Sequence, residues 1–70
     1  MRVYGPYMQF VVVTRENWAD LVDKAGMRLE EVAVATGMSY SAVYRYKRGD
    51  RTPPEDWIAK VARLLEGRAA

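Results

Sequence analysis

Along most of this chain apolar residues recur at the three- and four-residue spacing of a helix, and only the first stretch departs from it. Trp18, Leu21, Val22 and Ala25 fall at i, i+3, i+4 and i+7, one face of a helix. The helix is predicted to start at Thr14, whose hydroxyl suits an N-cap, to carry Glu16 in its favourable first turn, and to end at Gly26. Leu29, Val32, Ala33 and Thr36 repeat the spacing, and Gly37 follows as the left-handed residue that closes a helix. Ser39 suits the cap of a third helix running to about Arg48 and closed by Gly49. A fourth apolar face comprises Trp57, Ile58, Val61, Leu64 and Leu65. It is entered through a Thr52 cap and a first-turn Pro53, with Pro54, Glu55 and Asp56 in the same turn, and is expected to end at Gly67. Met27 and Met38, in the short links, are expected to fill gaps in the core, and Trp18 is read as core.

The first stretch, Met1–Val13, reads differently. Tyr7–Val13 is rich in β-branched and aromatic residues and too short to span a bilayer. As a secretory signal it is poor, because Gly5-Pro6 and Gln9 interrupt it and no small-residue cleavage site follows. Two readings stay open: a hairpin turning at Gly5-Pro6, or a single extended strand. Either way an apolar strand beside helices needs an edge to pair with. Phe10, Val11, Val12 and Val13 are therefore candidates for pairing with a second copy of the chain.

The third helix differs from the others in its polarity. Only Val43 and Tyr46 are placed to anchor it inward, while Tyr40, Ser41, Tyr44, Arg45 and Arg48 share a second face that is aromatic, polar and cationic. Such a face, turned outward beside a small-residue helix pair, suits the major groove of DNA. Charge sharpens this picture. The 70 residues carry a net +2, yet Ser39–Thr52 holds Arg45, Lys47, Arg48 and Arg51 against Asp50, a balance of +3 that leaves −1 for the rest. Positive charge is thus concentrated on the segment that would meet phosphate.

Other chemistry is weakly supported. Without Cys or His, disulfides, thiolate zinc sites and most catalytic or metal chemistry are disfavoured. The acidic pairs Glu30/Glu31 and Glu55/Asp56 sit where first-turn carboxylates favour the helix dipole, which is a simpler role than acid–base catalysis. No phosphate-binding glycine loop or nucleophile elbow is present. Neither enzyme activity nor a cofactor is expected.

Ala33 four residues before Gly37, and Val43 six residues after it, resemble the helix-turn-helix of the phage repressor and Cro family (Xre-like). The continuation Arg48-Gly49-Asp50-Arg51-Thr52-Pro53 into an apolar-periodic helix resembles it too, so that the likeness covers roughly Thr14 to Gly67. It implies a mostly α fold, a four-helix repressor-like domain over 14–67 with its motif at 29–48, and the N-terminal strand or hairpin read from the residues of 1–13 would precede it. It implies base contacts from Tyr40, Ser41, Tyr44 and Arg45, and backbone contacts from Ser39, Arg48, Arg51 and Thr52. Relatives often open the first motif helix with a hydroxyl cap and Gln; here stand Arg28 and Leu29, with Arg28 able to substitute at the phosphate. Where relatives often have Glu, Lys47 stands, free to pair with Asp20 or Asp23 or to face phosphate. Many relatives dimerise through a fifth helix that this chain lacks, which returns attention to Phe10–Val13.

The expected function is therefore sequence-specific binding of double-stranded DNA by a small transcription regulator, a homodimer on a palindromic operator. The expected location is the bacterial cytosol or nucleoid, with phage origin open. The rival is a protein-interaction adaptor or antitoxin-like module that turns the same tyrosines toward a partner.

Overall fold

In the computed structural model, residues 12–69 are described, with side chains described through Gly67. Four helices follow one another: α1 (Trp18–Lys24), α2 (Leu29–Thr36), α3 (Tyr40–Arg48) and α4 (Glu55–Ala69). No strand occurs among the described residues. The expected strand or hairpin falls mainly on residues 1–11, outside the described residues, and so do Phe10 and Val11. Val12 and Val13, its last two positions, have no strand conformation; Val12 is exposed and Val13 packs against the core.

Local hydrogen bonds hold the entries of α1, α2 and α3. Thr14 Oγ1 accepts from the amides of Glu16 and Asn17, both at 3.2 Å, while Thr14 N donates to Asn17 Oδ1 at 2.7 Å. This reciprocal box nucleates the turn that leads into α1, and Trp18 N already bonds back to Thr14 O at 3.1 Å. At α2 the Glu31 carboxylate accepts from Arg28 N at 2.8 Å. Arg28 has no side-chain acceptor, so only this half of a capping box exists. Ser39 Oγ accepts from Ala42 N at 3.2 Å and opens α3.

The break between α2 and α3 depends on Gly37, whose φ of 71° is a left-handed conformation that a Cβ would strain. Met38 N bonds back to Ala33 O at 3.0 Å, closing α2 before Ser39 restarts the chain. Gly49, at φ 86°, ends α3 in the same way.

The start and the end of α4 both differ from expectation. Helical residues begin at Glu55, not Pro53, and Ile58 N bonds to Pro54 O at 3.1 Å. Pro53 is buried instead, and its carbonyl accepts from Arg15 Nε at 2.7 Å, while Arg15 Nη1 meets Glu55 Oε2 at 3.0 Å. One arginine thus ties the entry of α1 to the entry of α4. At the other end Gly67 does not stop the helix, which continues to Ala69. A glycine inside a helix costs about 1 kcal/mol relative to alanine, a penalty that neighbouring turns can absorb.

The core lies where α2 packs on α3 and α4, and α1 on α4. Trp18, Leu21 and Val22 enter it from α1, Val32 and Ala33 from α2, Val43 from α3, and Trp57, Ile58, Val61 and Leu65 from α4. Met27 is buried and Met38 partly so, as gap-fillers in the links. Ala33, 4% exposed, has the small side chain that a close helix approach requires. Trp18 and Trp57 meet edge to face, with centroids 4.9 Å apart and planes at 88°. Trp57 Nε1 donates to Thr36 Oγ1 at 2.9 Å, and that hydroxyl donates to Val32 O at 2.7 Å. The polar edge of a buried indole is thereby satisfied by the one buried polar side chain among the described residues.

Candidate nucleic-acid interface

Two residues set which side of α3 faces out. Val43 is fully buried, and Tyr46 lies partly buried against Trp57 with ring centroids 4.9 Å apart. With Ser39 fixing the first turn and these anchors fixing rotation, the helix turns Tyr40, Ser41, Tyr44, Arg45, Lys47 and Arg48 to solvent. No acidic residue lies in α3, and its last turn holds Arg45, Lys47 and Arg48.

These outward groups are partly assembled. Tyr40 and Tyr44, one turn apart, stack with centroids 6.1 Å apart and an interplanar angle of 17°. The Arg48 guanidinium carbon lies 5.6 Å from the Tyr44 ring centroid, continuing the ladder by another turn. Arg48 Nε also reaches Asp50 Oδ2 at 3.5 Å, just past Gly49. Each contact is exposed, so the cation–π interaction contributes on the order of 0.5–1 kcal/mol and the ion pair no more than about 1 kcal/mol. Their effect is on geometry, since together they narrow the directions open to Arg48.

The other expected contact residues lie around this ladder. Ser41 and Arg45 are exposed at i, i+4 on a neighbouring stripe of α3. Arg51 and Thr52 are exposed in the loop beyond Gly49, where the amides of Asp50 and Arg51 bond back to Arg45 O at 3.0 and 3.4 Å. Ser39 is exposed while its hydroxyl caps the helix. Arg28 is exposed at the start of α2, and no hydrogen bond or ion pair among the described residues links its side chain to α3. Lys47 makes no ion pair among the described residues, whereas Asp20 pairs with Lys24 at 3.2 Å. The charge-reversed bridge from Lys47 to Asp20 or Asp23 is therefore not formed.

The tyrosine stack and the hold on Arg48 escaped sequence reasoning, although the four-residue spacing of Tyr40, Tyr44 and Arg48 is visible in the chain. Among the described residues no group of acidic side chains could hold a metal ion, and no helix is long and apolar enough to cross a membrane.

Comparison with known proteins supports the same reading of the motif. A family model described as a helix-turn-helix domain matches residues 19–68, from within α1 to within α4. No curated protein and no solved structure matches the chain.

Proposed function

The chain belongs to the helix-turn-helix domain family, and from that premise we propose that it binds double-stranded DNA sequence-specifically as a small transcription regulator of the repressor or Cro kind. In this reading α3 enters the major groove. Tyr40, Ser41, Tyr44 and Arg45 meet base edges, where Arg can donate two bonds to guanine and hydroxyls can donate or accept. Ser39, Lys47, Arg48, Arg51, Thr52 and Arg28 meet the sugar–phosphate backbone, which positions the helix without reading sequence. The observation that carries the proposal is the asymmetry of α3: Val43 and Tyr46 hold one side in the core, while the other presents cations and hydroxyls with no carboxylate in the helix.

A homodimer on a palindromic operator, with half-sites about 34 Å apart, completes the reading. Phe10–Val13 is its proposed contact, and Val12, 73% exposed, is the described residue available for it. Sedimentation of the chain with and without residues 1–13, free and on DNA, tests this; two monomeric forms in both conditions would remove the dimer.

The test of DNA binding is a set of titrations on a duplex selected from random DNA and on its scrambled version, over several salt concentrations. Arg45→Ala is expected to cost about 1–3 kcal/mol on the selected duplex and to relax preference at one base pair. Arg51→Ala is expected to weaken both duplexes alike and to lower the salt slope by about one unit. Binding that ignores salt, or no binding at all, would point instead to the adaptor reading, with the tyrosines facing a protein.

A further inference from the structure

Tyr40 and Tyr44 expose 49% and 43% of their surface on a helix face whose other outward groups are a hydroxyl and cations. Their rings lie nearly parallel, at 17°, with centroids 6.1 Å apart, one turn after the other along the helix. What remains open to solvent is nearly half of each residue, a strip about one turn long, with the Arg48 guanidinium over Tyr44 at its end. Hydrogen-bonding partners for Ser41 and Arg45 exist on every base pair, but a carbon strip has only one counterpart in the major groove: the methyl group at C5 of a pyrimidine. Among the described residues, the other large hydrophobic side chains exposed to solvent are Val12 and Val34, and neither lies on α3.

We infer that the Tyr40–Tyr44 pair is a contact site for a pyrimidine C5 methyl group, supplied by thymine or by 5-methylcytosine. The inference rests on the DNA-binding reading above and adds to it a chemical class of base. The ring, not the phenol hydroxyl, is the recognising group. Stacking prepares it, because the two side chains already restrict one another before DNA arrives, and less conformational freedom is lost on contact. Arg48, drawn to Tyr44 and to Asp50, closes the far end of the pair.

The test uses the full chain and the duplex selected from random DNA. Replacing each thymine in turn by uracil removes one methyl and leaves the Watson–Crick pair intact; replacing cytosine by 5-methylcytosine adds one at the same ring position. Loss of one buried methyl corresponds to about a fourfold loss in affinity. At one or two positions uracil is expected to weaken the wild type by about that factor. The loss should disappear in Tyr40→Ala or Tyr44→Ala and persist in the corresponding Phe variants. A gain from 5-methylcytosine at one position, lost in the same Ala variants, would support the site with the other methyl source. Tight, salt-sensitive binding that no methyl substitution changes would overturn the inference while leaving DNA binding intact. Methyl effects that survive in both Ala variants would do the same. Failure to bind any duplex would overturn both readings together. Because both tyrosines are about half exposed, thermal melting should show the Ala variants still cooperatively folded at the titration temperature and separate contact loss from misfolding.

Discussion

The domain contains two aromatic pairs with opposite fates. Trp18 and Trp57 come from helices far apart in the chain, meet edge to face at 4.9 Å and are almost wholly buried. Tyr40 and Tyr44 come from successive turns of one helix, stack at 6.1 Å and stay nearly half exposed. The tryptophan pair joins α1 to α4 and, through Thr36, α4 to α2. The tyrosine pair stacks within its own helix and reaches Arg48, which in turn meets Asp50. Aromatic content alone therefore says little about role. An aromatic side chain sealed between elements contributes cohesion, whereas one held in place but left uncovered is available to a ligand.

Mutation at each pair should separate these roles, and the largest effect is expected at Trp57. Truncating a buried aromatic costs about 3–5 kcal/mol, and a domain this small has a total stability on the order of 5 kcal/mol. Trp57→Ala is expected to keep only about 0–2 kcal/mol and to melt far below the wild type by circular dichroism; a cooperative thermal transition near that of the wild type would break the comparison at its buried end.

An intermediate effect is expected at Thr36. Thr36→Val keeps the shape but leaves Trp57 Nε1 buried without a partner, costing about 1–3 kcal/mol. In Trp57→Phe the donor itself is gone, so adding Thr36→Val to that background should cost clearly less than it does alone. Additive losses in denaturant titrations would mean that the 2.9 Å bond contributes little.

Overpacking at Ala33 links the two regions. Ala33→Leu should cost roughly 1–3 kcal/mol by forcing α2 away from its neighbours. The helix that carries the tyrosines packs on α2, so affinity for a selected duplex should fall in step with stability. An unchanged thermal midpoint would show that no close crossing exists at Ala33.

The smallest effect on stability belongs to the exposed pair. Tyr40→Ala and Tyr44→Ala are each expected to change unfolding free energy by no more than about 1 kcal/mol, the size of the stacking and cation–π contacts they lose. A loss of several times that amount in urea titrations would make the tyrosines structural and weaken their assignment to a ligand.

Much of this was legible in the chain because it is local. The limits of α2 and α3 follow from Ser39 at one end and Gly37 and Gly49 at the others, and a cap or a left-handed residue acts within one turn. The inward set, from Trp18 to Leu65, follows from spacing, since a helix with one apolar stripe can bury it in only one direction. The outward set on α3 follows as its complement, which is why Tyr40, Ser41, Tyr44 and Arg45 could be named beforehand.

Tertiary structure decided what depends on distant partners. Thr36 lies at an apolar-stripe position, but its hydroxyl finds Trp57 only because α4 crosses α2 at that height. Pro53 has the look of a first-turn residue, yet its carbonyl is taken by Arg15 from the other end of the domain, and α4 starts two residues later. Gly67 resembles the three glycines that do close helices, but those have positive φ and it does not. Spacing and capping are decided within a few residues, whereas these three outcomes turn on which helix packs against which. That packing is settled by burying all the apolar faces at once, a property of the folded chain and not of any one segment.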